Sequence, residues 1–121
     1  MNPVGGLRAA AVVALALAVA GCGQDPRQER IALGKEVYTR ECSRCHLISG
    51  KGYPGVYPNL DRNPIVRLDS PEVVTDIVLR GRESMPAFEG ELPEQKIAAV
   101  ITYIRQAWHN DASGVTPAQV K

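Results

Sequence analysis

Residues 41–50 read ECSRCHLISG, and this stretch holds two of the chain's three cysteines and one of its two histidines. Cys42 and Cys45 stand one helical turn apart, and His46 follows at once. A C-x-x-C redox pair of the thioredoxin type belongs beside a β-α-β pattern, and no strand alternation flanks the motif. A zinc site usually takes four ligands. Beyond the motif only His109 is on offer, because the third cysteine, Cys22, is committed elsewhere as described below.

A third chemistry needs this spacing. In C-x-x-C-H haem attachment, the two thiols add to the two vinyl groups of haem, which lie on adjacent pyrroles. Two intervening residues span that separation on a helical turn, and the next residue, histidine, turns its imidazole to the iron. Cys42 and Cys45 are therefore the expected covalent haem links and His46 the proximal ligand. The composition agrees. The 121 residues include one Phe, one Trp and four Tyr, few large rings to fill a core, so an apolar cofactor is a candidate for the centre. Lys plus Arg is 14 against 13 for Asp plus Glu, which leaves no basic field for nucleic acid and no acidic tail.

Upstream of the motif, one positive residue, Arg8, precedes an unbroken apolar run over 9–20. That run is too short for a membrane span of about 20 residues and suits a secretory leader. Val19-Ala20-Gly21-Cys22 resembles the bacterial lipobox, in which the leader is cut before a cysteine that then carries lipid. The expected organisation is a lipoprotein signal peptide over 1–21, a polar tether over 22–28 from lipidated Cys22, and one domain over 29–121. Loss of Arg8 leaves the mature chain with no net charge. A tether of six residues reaches at most about 20 Å, which would keep the domain close to its membrane. Export fits the motif, because haem is attached in this way outside the cytoplasm.

Downstream, Met85 in RGRESMPAF is the one methionine left once Met1 departs with the leader. It follows the helix-ending Gly81 and is succeeded by Pro86, a setting unlike that of a core methionine. With this, the stretch over 27–119 resembles a class I c-type cytochrome: C-x-x-C-H, a Pro-rich loop, a helix, Met-Pro, and a final amphipathic helix. The resemblance implies an all-α cytochrome c fold, with three or more helices around one covalently bound haem c and the first and last helices crossing. It implies His46 and Met85 as axial ligands. It also makes Pro58 the residue whose carbonyl accepts from the His46 Nδ1–H, and it puts Leu60 and Ile65 against the haem. Arg80, Arg82 and Tyr57 fall either at the propionates or on solvated surface.

Helical periodicity supplies the rest. A first helix is expected over 28–45, with Ile31, Gly34, Tyr38 and Cys42 on one face. Gly34 costs about 1 kcal/mol against Ala inside a helix. A close backbone approach would justify it, and the resemblance assigns that approach to Tyr103. Ser70-Pro71-Glu72 opens a middle helix with Val73, Val74, Ile77 and Val78 as its buried side and Gly81 as its end. The last helix carries a stripe of Ile97, Val100, Ile101, Ile104 and Trp108, but Leu92 cannot cap its start. The loop GKGYPGVYPNLDRNP has no periodicity, and a haem edge to pack on would account for its length.

Iron held by both His and Met has no open position for a substrate. The chain is therefore expected to be an electron carrier, not an enzyme, and to take no small-molecule substrate. Lys35, Arg40, Arg44, Lys51, Arg62 and Arg67 fall in the half with the motif, and Glu83, Glu89, Glu91 and Glu94 on the Met85 side. Such a split would orient docking. The ending ITYIRQAWHNDASGVTPAQV resembles cytochrome subunits of membrane-associated sugar and alcohol dehydrogenases and of terminal oxidases. The expected role is a membrane-tethered monohaem carrier on the periplasmic side of the bacterial envelope, exchanging electrons with a dehydrogenase, an oxidase or another cytochrome. Two other roles use the same residues. A gas-binding haem sensor would need Met85 to detach, and a haem-free dithiol oxidoreductase would use Cys42 and Cys45 alone.

Overall fold

In the computed structural model, Met1, Pro3, Gly5, Gly21 and residues 23–121 are described. The apolar run over 9–20 and Cys22 lie outside the described residues, so the expected signal segment and lipidated cysteine do too.

Helix α1 spans Pro26–Val37 and starts two residues earlier than the sequence predicts. The reason is local. The Asp25 carboxylate accepts from the Arg27 N–H at 2.9 Å, and Pro26 occupies the first turn, where no N–H is missed. The helix then widens into one π-helical turn, Tyr38–Cys42, before the short α2, Ser43–His46. Such turns gather at functional sites, and this one delivers the C-x-x-C-H motif. Helix α3 spans Glu72–Arg80 and α4 spans Glu94–Gln106, with a 3₁₀ turn at Pro117–Gln119. Among the described residues there is no strand of regular length, only isolated bridges. No described helix is long and apolar enough to cross a membrane.

The principal packing is α1 on α4. Gly34 is buried against the Ala99 carbonyl, and a Cβ placed there would overlap that oxygen and lie 2.7 Å from the Tyr103 Cβ. The close approach expected at Gly34 and Tyr103 is thus present, with Ala99 as its nearer member. Helix α4 buries Ile97, Val100, Ile101 and Ile104, as its periodicity predicts. It also buries Thr102 and Arg105, which periodicity alone would leave outside.

Two sequence readings need correction. Val73 is 47% exposed; α3 turns Val74, Thr75, Val78 and Leu79 inward instead. The set at 74, 75, 78 and 79 is one face of a 3.6-residue period, and 73 falls off its edge. Trp108 is not on α4, which ends at Gln106. It adopts φ +54° and folds back so that its indole N–H donates to the Ile48 carbonyl at 3.0 Å. There it stacks with Tyr38 and Tyr103 at centroid distances of 5.3 and 5.9 Å. The Pro-rich loop, which lies against the cavity, is also tied down by polar side chains. Asn59 and Asn63 side chains accept from the Asp61 and Ile65 N–H groups at 2.8 and 2.9 Å. Buried Asn110 donates to the Leu60 and Ile104 carbonyls and accepts from the Arg62 N–H.

Candidate functional site

The interior opens into one cavity of about 370 Å³, whose walls are mostly apolar. Cys42, Cys45 and His46 line it from the π turn and α2, and Met85 lines it from the segment after α3. Pro58, Leu60, Ile65, Tyr57 and Arg82 also stand on its wall. Every residue expected at the haem is thus gathered around one space, apart from Arg80. That side chain points to solvent and pairs with exposed Asp76 on its own helix at 2.6 Å. Among the wall residues that sequence reasoning did not place at the haem are Val66, Phe88, Leu92, Val100 and Ile104. For Val100 and Ile104 the signal existed, since their stripe on α4 shows a buried face. For Phe88 none did, because it sits in an irregular segment.

His46 is 9% exposed, and its Nδ1 lies 2.9 Å from the Pro58 carbonyl oxygen. A carbonyl can only accept, so Nδ1 carries a hydrogen and Nε2 is the ring nitrogen left for a ligand. The carbonyl contact fixes the orientation of the ring. Two backbone bonds hold the far side of this turn: the Gly52 N–H donates to His46 O at 2.9 Å and the Leu60 N–H to Gly50 O at 2.7 Å. Leu47, next to His46, is forced to φ +63°, ψ +159°, a region that only glycine visits freely. The Tyr38 hydroxyl donates to the Leu47 carbonyl at 2.7 Å and secures that conformation.

Met85 is presented by a tight turn. Arg82 and Met85 exchange both backbone bonds, at 3.2 and 2.9 Å, across Glu83 and Ser84. Gly81 enters the turn at φ +74° with its Cα against the Met85 carbonyl, which leaves no room for a Cβ. Beyond Met85, the Phe88 and Glu89 N–H groups donate to the Val78 and Leu79 carbonyls, closing the end of α3.

Burial pushes the Cys42 thiol up to about 12, with the charges of Glu41 and Cys45 adding to it. A thiol held protonated is a poor nucleophile for disulfide exchange. His109 stands outside the cavity wall. Its Nδ1 meets the Asp61 carboxylate at 3.0 Å, and Asp61 also accepts from the His109 backbone N–H at 3.0 Å.

A neutral imidazole nitrogen, a thioether sulphur and two thiols around an apolar space are the donor set of a covalently attached haem, so the residues present fit that group. Comparison with known proteins points the same way. Residues 29–104 match the family described as "Cytochrome C oxidase, cbb3-type, subunit III". The chain is 31% identical over 115 residues to the cytochrome c subunit of a quinone alcohol dehydrogenase from Gluconobacter oxydans, covering 79% of this chain and 24% of that subunit. It therefore spans about a quarter of that relative's length. It is 32% identical over 73 residues to cytochrome c6 of Microcystis aeruginosa, covering 59% of this chain and 89% of that protein. Among solved structures, cytochrome c6 from the diatom Phaeodactylum tricornutum superposes with a TM-score of 0.55 at 22% identity, over 64% of this chain and 92% of the other.

Proposed function

This chain belongs to the c-type cytochromes, in the family described as "Cytochrome C oxidase, cbb3-type, subunit III", and from that premise we propose which residues make it a carrier and where it works. Its cofactor is a covalently bound haem c, and its work is the transfer of single electrons, with no reaction catalysed. Cys42 and Cys45 form the thioether links, and His46 and Met85 are the axial ligands. The observation that carries this assignment is that all four line one apolar cavity while the Pro58 carbonyl holds His46 Nδ1.

When bound, the haem supplies a one-electron iron couple whose potential a thioether ligand raises. The chain does the rest. The His46–Pro58 bond engages Nδ1 and fixes the orientation of the ring. The Arg82–Met85 turn holds the sulphur in a fixed place. The mostly apolar wall gives the group it holds a lining of low polarity.

The setting is proposed on sequence grounds. The apolar run over 9–20 is a signal segment, Cys22 is lipidated, and the carrier is held on the periplasmic side of a bacterial membrane. Its partners are redox proteins at that membrane, a dehydrogenase among them, as the likeness to the alcohol dehydrogenase cytochrome subunit suggests. With α1 starting at Pro26, only Gly23, Gln24 and Asp25 separate that cysteine from the folded domain. Three residues reach about 10 Å, so the domain would sit close against the lipid.

The test is expression in a host with haem-attachment machinery, followed by optical spectroscopy and intact mass. The expected protein is red, carries one haem, shows a sulphur-to-iron charge-transfer band when oxidised, and ignores carbon monoxide when reduced. Met85→Ala should lose that band and gain carbon monoxide binding. A colourless product from such a host would overturn the assignment.

A further inference from the structure

Arg105 is the largest side chain buried without exposure, at 0%, and the transfer of an electron as described so far has not used it. Its guanidinium makes five hydrogen bonds. Nε donates to Ser113 O at 2.7 Å, Nη1 to Val66 O and Leu68 O at 2.9 Å each, and Nη2 to Asp69 O at 3.3 Å and Ser113 Oγ at 3.1 Å. All five acceptors are neutral. The carboxylate of Asp69 makes no ion pair with it, and the Asp69 side chain acts on Arg105 only at longer range. A full positive charge is thus held inside the protein by carbonyl dipoles.

A charge in such a place is expensive. Burial lowers the affinity of the guanidinium for its proton, and the charge of Asp69 only partly offsets that. An apolar residue packed there would avoid the cost, since buried charges add little net stability. The position of Arg105 gives the charge a use. Its backbone neighbour Ile104 and its bonded partner Val66 both stand on the cavity wall, so the residue that carries the charge is one neighbour removed from that wall.

We propose that Arg105 is a positioning residue for the redox couple: its buried, unpaired positive charge raises the reduction potential of the haem held in the cavity. The inference rests on the haem reading above. Reduction lowers the charge of the iron centre by one, so a fixed positive charge in a medium of low dielectric stabilises the reduced state more than the oxidised. Its five bonds also tie residues 66–69 and Ser113 to α4, and this second role is purely structural.

Two pairs of variants separate charge from cross-link, each read as the midpoint potential of haem-loaded protein whose sulphur-to-iron band is intact. Arg105→Gln removes the charge and should shift the midpoint to lower potential. Arg105→Lys, measured at mildly acidic pH where a buried lysine keeps its proton, loses the fork of hydrogen bonds yet should stay near the parent value. An unchanged midpoint in the Gln variant overturns the proposal, as does an equal fall in both. If either variant fails to fold, exposed Ser113 carries the test. Ser113→Asp sets a carboxylate beside the guanidinium and should sit below Ser113→Asn, and equal potentials would overturn the idea. Because every variant is scored only with haem attached, failure here is distinct from failure of the haem assignment.

Discussion

Gly34 in α1 and Tyr38, which opens the π turn four residues later, take different risks. At Gly34 the neighbours are backbone and the first carbon of a side chain, so nothing at the contact can swing aside. Gly34→Ala should therefore force α1 and α4 apart, although Ala is the better helix former by about 1 kcal/mol. Overpacking of this kind costs roughly 3 kcal/mol, and that term wins. Denaturant unfolding of the haem-loaded protein should show a lower midpoint; an unchanged one would mean that the helices separate freely. Tyr38 is 1% exposed, and its ring fits where Phe would fit. Its hydroxyl is the partner that holds the Leu47 carbonyl beside His46. Tyr38→Phe should cost about 1–2 kcal/mol, the usual penalty for orphaning a buried acceptor, read as the same shift in unfolding.

At the scale of elements, the loop over 51–69 and the end of α4 work as one unit, and Asp61 joins them. Asp61 is 9% exposed, and its hydrogen bond from the His109 ring holds its carboxyl below the usual aspartate range; burial opposes this, and the His109 backbone N–H bond adds to it. A carboxyl depressed on folding stabilises the native state above its unfolded value, near 3.8. That contribution fades as pH falls through the lower folded value. Asp61→Asn should therefore be less stable than the parent at neutral pH, and the gap should begin to narrow only as pH falls below about 4. Thermal melting across that range is the measurement, and a gap that persists at low pH would show that the charge is irrelevant. The same pair explains what the sequence could disclose. The motif was legible because bond geometry dictates its spacing, whereas Met85 and Pro58 were singled out through the family resemblance, and both stand on the cavity wall. Helix faces were legible wherever a period of 3.6 ran through several apolar residues, as on α4. The ties of Asp61 to His109 and of Asn110 to Leu60 span 48 and 50 residues, and no local pattern marks a polar side chain that will close a distant loop. Trp108 misled for a related reason, because its spacing continues the stripe of α4 while its own backbone leaves the helix.

The whole molecule is built as a shell. Val66, Val74, Val78, Val100 and Ile104 belong to the main apolar cluster and at the same time line the cavity, so the core and the cofactor site are one. Their packing partner on the inner side is the haem, and without it each of these side chains lacks contacts on one face. A fully enclosed void costs about 24 cal/mol per Å³. For about 370 Å³ that amounts to roughly 9 kcal/mol. The cavity opens to solvent and its walls can sag inward, so this is an upper bound. Even half of it would consume much of the stability of roughly 5–15 kcal/mol that a small domain possesses. The haem-free chain, made as Cys42→Ser/Cys45→Ser, should therefore keep helical far-ultraviolet circular dichroism while losing near-ultraviolet signal and a sharp melting transition. The first and last helices would outlast the rest, since α1 packs on α4 through Gly34 and Tyr103, outside the cavity wall. Hydrogen exchange should accordingly show protection confined to 26–37 and 94–106 in the haem-free form and spread to α3 and the 51–69 loop once haem is attached. Equal protection and equally cooperative melting in the two forms would mean that the protein core stands by itself, and the shell description would then be wrong.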